Sequence, residues 1–332
     1  MELSLFFSGT GGSVPSPRRG LPGLLFRRGA DRLLFDCGEG TQRQLMRSVG
    51  LADLNSVYIT HFHADHWLGL PGMLKSFALR ERDVPLCIYG PPGLEEVMNA
   101  TRFIYGRLPY ELVVSELAPG DAVHADGYSV SAIPVHHKRV AAFGYAIVED
   151  TRPGHMDAEL AKQLGVTPGP DFGRLQRGES VAGVRPEQVM GPEREGRKIV
   201  ISGDTTACEE IAIAAHQADL LVHEATFTED EAERARMTGH CTAHQAARLA
   251  LQAQVRTLAL MHISSRYSGG EIQEEACQQF PGAHVPRDFD MIQVPFPERG
   301  PAELVRWSRR SSSHVAEQPQ QQAAEQEPIG SR

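Results

Sequence analysis

The chain has 332 residues, 41% of them apolar, and a formal net charge of −9. That is enough to bury a substantial core in one large domain or two ordinary ones, and the acidic balance excludes a uniformly basic surface while leaving room for local basic patches. Five cysteines, Cys37, Cys87, Cys208, Cys241 and Cys277, form no CxxC pair, so a disulfide framework or a cysteine zinc site is not expected, whereas a reducing cytoplasmic setting is. The N-terminus has no basic region before a long apolar stretch, and no later segment approaches the roughly 18 apolar residues of a membrane span; a soluble, unexported protein with no membrane association is expected.

Taken in chain order, short apolar or alternating runs bounded by Gly and Asp predict strands at 3–7, 24–26, 33–35, 57–60, 86–89, 128–135 and 143–148. Helical periodicity predicts helices at 40–49, 68–80 and 94–105. A second series follows: strand 198–202, helix 208–217, strand 220–223, helix 243–254 and strand 257–261. The chain reads as two β/α halves. Between them, 151–197 is rich in Gly, Pro and Arg and poor in long apolar runs; it exceeds an ordinary loop and is therefore functional or disordered. One helix is expected inside it, at 157–164. From about 309 onward a Gln/Glu/Ser/Ala tail without aromatics is expected to have no structure.

The densest chemistry sits in THFHADHWLG, residues 60–69, where His61, His63, Asp65 and His66 crowd the end of the apolar run 56–59. Imidazole and carboxylate suit a divalent metal such as zinc when no thiol is near, and one ion uses only three or four protein ligands. Four donors here, with more at other strand ends, point to a paired site. The further candidates are His136 or His137 after 128–135, Asp204 after 198–202 and His262 after 257–261. Only one of His136 and His137 can face inward, because successive strand residues point to opposite sides, and periodicity does not choose between them. Asp204 could instead cap the helix at 208–217.

The HxHxDH motif formed by residues 61–66 resembles the signature of the metallo-β-lactamase superfamily. FDCGEGTQRQL at 35–45, FGYAI at 143–147, SGDT at 202–205, HEATF at 223–227, GHCTAHQAA at 239–247 and LMHISSRY at 260–267 further resemble one branch of it, the ribonuclease Z family of tRNA 3′-processing endonucleases. The resemblance spans residues 1 to about 295. It implies an α/β fold, the αββα metallo-β-lactamase sandwich, over residues 1–297, with an inserted flexible tRNA-binding arm at about 152–197. Residues 298–332 are then a largely disordered C-terminal extension.

It also implies two zinc ions per subunit, one held by His61, His63 and His137, the other by Asp65, His66 and His262, with Asp204 bridging them. His137 is preferred because the family places this ligand three residues after a proline, here Pro134; one extra residue before FGYAI keeps His136 open. Asp65 would be general base or water-orienting carboxylate, and His240, oriented by Glu224, the acid for the leaving 3′-oxygen. Cys241 stands where the family usually has serine. Arg266 would grip the scissile phosphate, with a surface salt bridge as the alternative, and Arg19 would lie near the substrate's 3′ end, though Gly20 replaces the family's asparagine.

The implied partner is precursor tRNA, met by a homodimer. Basic residues occur at 16–32 (Arg18, Arg19, Arg27, Arg28, Arg32) and in the insert (Arg174, Arg177, Arg185, Arg194, Arg197, Lys198). A small-molecule phosphodiesterase of the same fold would need no such insert, and a non-catalytic RNA scaffold would be expected to have lost donors, of which none is lost.

Overall fold

A computed structural model of the chain describes residues 1–51 and 54–308. One sheet has eight strands in the order Glu303–Val305, Met291–Gln293, Leu3–Gly9, Gly23–Arg28, Asp31–Phe35, Ser56–Tyr58, Leu86–Gly90 and Leu112–Glu116. A second has six, in the order Leu258–Met261, Leu220–Glu224, Lys198–Ile201, Phe143–Glu149, Tyr128–Pro134 and Ala122–Ala125.

Side-chain alternation sorts the apolar residues into layers. In the strand Leu3–Gly9, Leu5 and Phe7 enter the core between the sheets beside Tyr145, Ile199 and Val222, while Phe6 turns the other way. Phe6, Leu25 and Leu34 pack under the helices Leu70–Leu79 and Leu94–Tyr105. On the far side, Val200, Leu221 and Leu260 lie beneath Glu209–Ala214, Ala243–Gln252 and Gly269–Cys277. This is the expected αββα sandwich, and strands buried on both faces explain the continuous apolar runs. No helix among the described residues is long and apolar enough to cross a membrane.

The expected boundary at 297 falls short of the fold. Glu303–Val305 pairs antiparallel with Met291–Gln293, so the sheet takes in part of the 298–332 extension. Residues 309–332 lie outside the described residues.

The insert also holds more structure than its composition suggested. Helices Ala158–Gln163, Pro170–Gln176 and Pro186–Val189 surround a small cluster of Ala161, Val166, Leu175, Val181, Val184 and Val189. Single apolar residues dispersed among Gly and Pro build it, which is why no run announced it. The helix expected at 157–164 is Ala158–Gln163, with Asp157 accepting the N-cap bond from the Leu160 amide.

The two necks of the insert are clamped by charge. Glu149 ends the strand Phe143–Glu149, and Arg197 precedes Lys198–Ile201. Arg197 Nε and Nη2 donate to the two Glu149 oxygens at 2.7 Å each, and Arg28 Nε donates to Oε1 at 2.7 Å. Arg197 is fully buried, so it leaves the set of basic residues the insert could present to RNA. Burial pushes the Glu149 carboxyl upward, but the two guanidiniums prevail and hold it down at about 2. Removing one partner strands buried charge, so Glu149→Ala is expected to cost about 3–5 kcal/mol in urea unfolding. Because the folded pKa is depressed, the carboxylate's contribution is complete above the pKa of an unfolded glutamate and is lost as pH falls toward 2. The stability gap between wild type and Glu149→Gln should therefore narrow below about pH 5; a gap independent of pH would refute this account.

Candidate metal centre

The backbone passes from extended to helical at His63 (φ −67°, ψ 144°), the N-cap of the four-residue helix Ala64–Trp67, and this turn buries Asp65 and His66. Three strand ends of the six-stranded sheet supply the facing groups. His137 follows Tyr128–Pro134, Asp204 follows Lys198–Ile201 and His262 follows Leu258–Met261; all three are buried. Two backbone features aim them. Gly203 has φ +60°, and a Cβ there would lie 2.7 Å from the Phe143 carbonyl oxygen. His262 itself has φ +58°, a strained region for a non-glycine residue that its surroundings must enforce.

Hydrogen bonds on the outer side of the rings fix their tautomers. His66 Nδ1 donates to Asp36 Oδ2 at 2.7 Å and His137 Nδ1 to the Gly239 carbonyl at 2.8 Å. Thr226 Oγ1 donates to Glu224 Oε2, so the 2.8 Å contact with His262 Nδ1 makes that nitrogen the donor. Thr60 Oγ1 likewise donates to Asp36 Oδ2 and receives His61 Nδ1 at 3.1 Å. Four imidazoles thus carry their proton outward and point a bare Nε2 lone pair inward, the arrangement of metal-binding histidines.

The inner side is short of protons. Buried Nε2 atoms of His61 and His66 have no hydrogen-bond partner, and His137 Nε2 faces His63 Nδ1 at 3.0 Å. Asp204 Oδ2 lies 3.3 Å from the Nε2 atoms of both His66 and His262 and 3.8 Å from that of His61. Three groups, His61/His63/His137, His61/His66/Asp204 and Asp65/His66/His262, each bring their donor atoms within 4.8 Å of one another. Lone pairs converging in a buried space fit divalent cations, which supply the missing positive charge.

A family model described as "Beta-lactamase superfamily domain" matches residues 31–156 and 158–263. The chain is 45% identical over 309 residues to a ribonuclease Z of Haloferax volcanii, covering 89% of this chain and 96% of that one. It is 43% identical to a ribonuclease Z of Methanosarcina acetivorans, covering 89% and 99%. The chain belongs to the ribonuclease Z family. Among solved structures, the short form of human tRNase Z superposes with a TM-score of 0.64 at 28% identity, covering 88% of this chain and all of that one. This protein is therefore a hydrolase of the metallo-β-lactamase fold.

In this ribonuclease Z family member, His137 is the one of the two adjacent histidines that faces the cluster. His136 points outward to Glu210 at 3.1 Å with its side chain 64% exposed. Asp204 is not a helix cap; Cys208 occupies that position. His240 sits beside the cluster, its Nδ1 donating to Glu224 Oε1 at 2.7 Å, and Glu224 also accepts from the Thr205 and Thr226 amides. Burial disfavours the charged ring, yet the Glu224 carboxylate outweighs it and raises the His240 pKa to about 9.

Two expected substrate residues lie outside the cluster. Arg266 is exposed and its Nη1 reaches Glu231 at 3.1 Å, the salt-bridge alternative. Arg19 turns inward, donating to Thr10 Oγ1 at 2.6 Å and the Pro286 carbonyl at 3.0 Å. Both line a neighbouring surface groove.

Sequence reasoning assigned no role to Asp36 or Thr226, although both lie inside quoted motifs. Asp36 accepts from the Thr60 amide, the Thr60 hydroxyl and His66. Its signal was its place at a strand end, as for Asp204 and His262. Outer partners of this kind typically contribute 10–100-fold to metal affinity. Asp36→Ala is expected to weaken zinc binding by about that factor in competition with a chromogenic chelator, and undiminished affinity would deny Asp36 the orienting role.

Proposed function

We propose that the chain is a zinc-dependent endoribonuclease that removes the 3′ trailer of precursor tRNA. It cuts after the discriminator base, leaving a 3′-hydroxyl on the tRNA and a 5′-phosphate on the trailer. The observation that carries this reading is the buried donor cluster with the Glu224–His240 pair beside it, in a chain so similar to proteins named ribonuclease Z.

His61, His63 and His137 would hold one zinc ion and Asp65, His66 and His262 the second, with Asp204 between the two sets. Zinc held there would supply a water acidified toward a pKa of about 7 and positive charge to offset the developing negative charge on the phosphate. The remaining steps belong to side chains. Asp65 Oδ2 accepts from the Ser13 amide at 2.8 Å and lies 3.3 Å from His262 Nε2. Held by the Ser13 amide at the edge of the cluster, this carboxylate orients the attacking water. His240 donates its Nε2 proton to the departing 3′-oxygen, while Glu224 stabilises the charged ring and fixes its direction.

The remaining assignments follow the same reading. The insert, with exposed Arg177 and Arg185 around its own small core, serves as the tRNA-gripping arm. Phe103, 84% exposed, with Ile104 and Leu79 offers the apolar surface for a homodimer. Unpaired cysteines accord with a cytoplasmic location.

The test is zinc-loaded protein incubated with pre-tRNAs with and without an encoded CCA, the products mapped at nucleotide resolution. Cleavage immediately after the discriminator base is expected. Intact pre-tRNA alongside hydrolysed small phosphodiesters would instead favour a small-molecule phosphodiesterase.

A further inference from the structure

A groove of about 1560 Å³ opens beside the metal centre. One wall is continuous with the centre: the Ser13 amide binds Asp65, and Arg18 and Arg19 of the same loop line the groove. After His262 the chain pairs Ile263–Ser264 with Gly11–Gly12 and then contributes residues 265–270 to the lining.

Seven arginines and three carboxylates line the groove, an excess of four positive charges on a chain whose net charge is −9. Both aspartates are already engaged by hydrogen bonds. Asp288 accepts from the Thr10 and Gly20 amides and Gln44, and Asp290 from the Arg287 and Trp307 amides and Arg306. No carboxylate lies within ion-pair distance of Arg18, Arg43, Arg47 or Arg287 among the described residues. The rings of Phe289 and Trp307, also in the lining, meet at 5.1 Å between centroids, and the Arg47 guanidinium covers Phe289 at 5.6 Å. Trp307 and Phe289 are only partly buried.

Open guanidiniums along a groove with aromatic faces make a site for single-stranded nucleic acid: phosphates meet the arginines, and any base can stack on a ring. Duplex offers no such use for the rings, because its bases are already stacked. In a substrate cut at the metal centre, the segment that begins at the scissile phosphate and stays unpaired is the trailer. We propose that this groove holds the 3′ trailer, with a base stacked on Trp307 and backbone phosphates on Arg43 and Arg47. The inference rests on the reading of the protein as a pre-tRNA endonuclease.

The test compares two pre-tRNAs that differ only in trailer length, one nucleotide against about twelve. Wild type is expected to show a lower KM for the longer one. Trp307→Ala should raise the long-trailer KM about tenfold, roughly one stacked base, so that the preference collapses toward one, while Trp307→Phe retains most of it. Should Trp307→Ala fail to fold by thermal melting, Arg47→Gln carries the test: it should flatten the log–log salt dependence of the long-trailer KM by about 0.7. A KM rise equal for both substrates would place Trp307 against the tRNA body and overturn the proposal, as would no change for either. Wild type that cuts neither pre-tRNA yet hydrolyses a small diester would remove the parent function, a separate failure.

Discussion

Asp204→Ala should lower pre-tRNA cleavage by at least about 10³-fold and leave fewer than two zinc ions per chain by elemental analysis. Its carboxylate lies within reach of both histidine sets: Oδ2 lies within 3.8 Å of the Nε2 atoms of His61, His66 and His262. Without it, two dications held close together would face each other with one less negative charge between them, and the imidazoles on either side would lose a common anchor. The loss corresponds to about 4 kcal/mol of transition-state stabilisation, within the several kcal/mol that metal clamping of phosphate supplies. Circular dichroism matching wild type would show that the defect is local. A variant that keeps both ions and cleaves at full rate would sink the bridging assignment.

How much of this could be read without coordinates depended on where each group finds its partner. Helix Leu94–Tyr105 was legible to the residue because Gly93 and Gly106, both at positive φ, punctuate it. The central strands were legible because burial on both faces leaves unbroken apolar runs. The edge strands Leu112–Glu116 and Ala122–Ala125 passed unnoticed: mostly half-buried or exposed, they lack the apolar signal. Helix Gly269–Cys277 was missed despite a visible S-x-x-E capping box at Ser268 and Glu271. The seven proposed metal donors converge because a dense motif and a strand-end rule located them. The layer behind them was not legible, since Asp36 meets His66 across 30 residues and Thr226 meets His262 across 36. Arg19 and Arg197 show the reverse failure. Both counted as basic surface in the sequence, and both are drawn inward by acceptors that only folding supplies.

His240→Gln should separate the two halves of the reaction. If His240 protonates the departing 3′-oxygen, its loss matters in proportion to how poor the leaving group is. An alkoxide needs that proton in the transition state, and general-acid catalysis typically contributes about 10²–10⁴-fold. A p-nitrophenolate leaves without help. The expected result is therefore a fall in kcat of about 10³-fold on pre-tRNA, with hydrolysis of bis(p-nitrophenyl) phosphate slowed far less. Glu224→Gln should follow the same pattern more weakly: the amide can still accept the Nδ1 proton at the 2.7 Å position but no longer favours the imidazolium, whose pKa of about 9 depends on that carboxylate. A purely structural role for His240 makes the opposite prediction. Its ring packs 5.3 Å from that of His262 and 4.9 Å from that of His137, so disturbing that packing would impair the metal centre and depress both substrates alike.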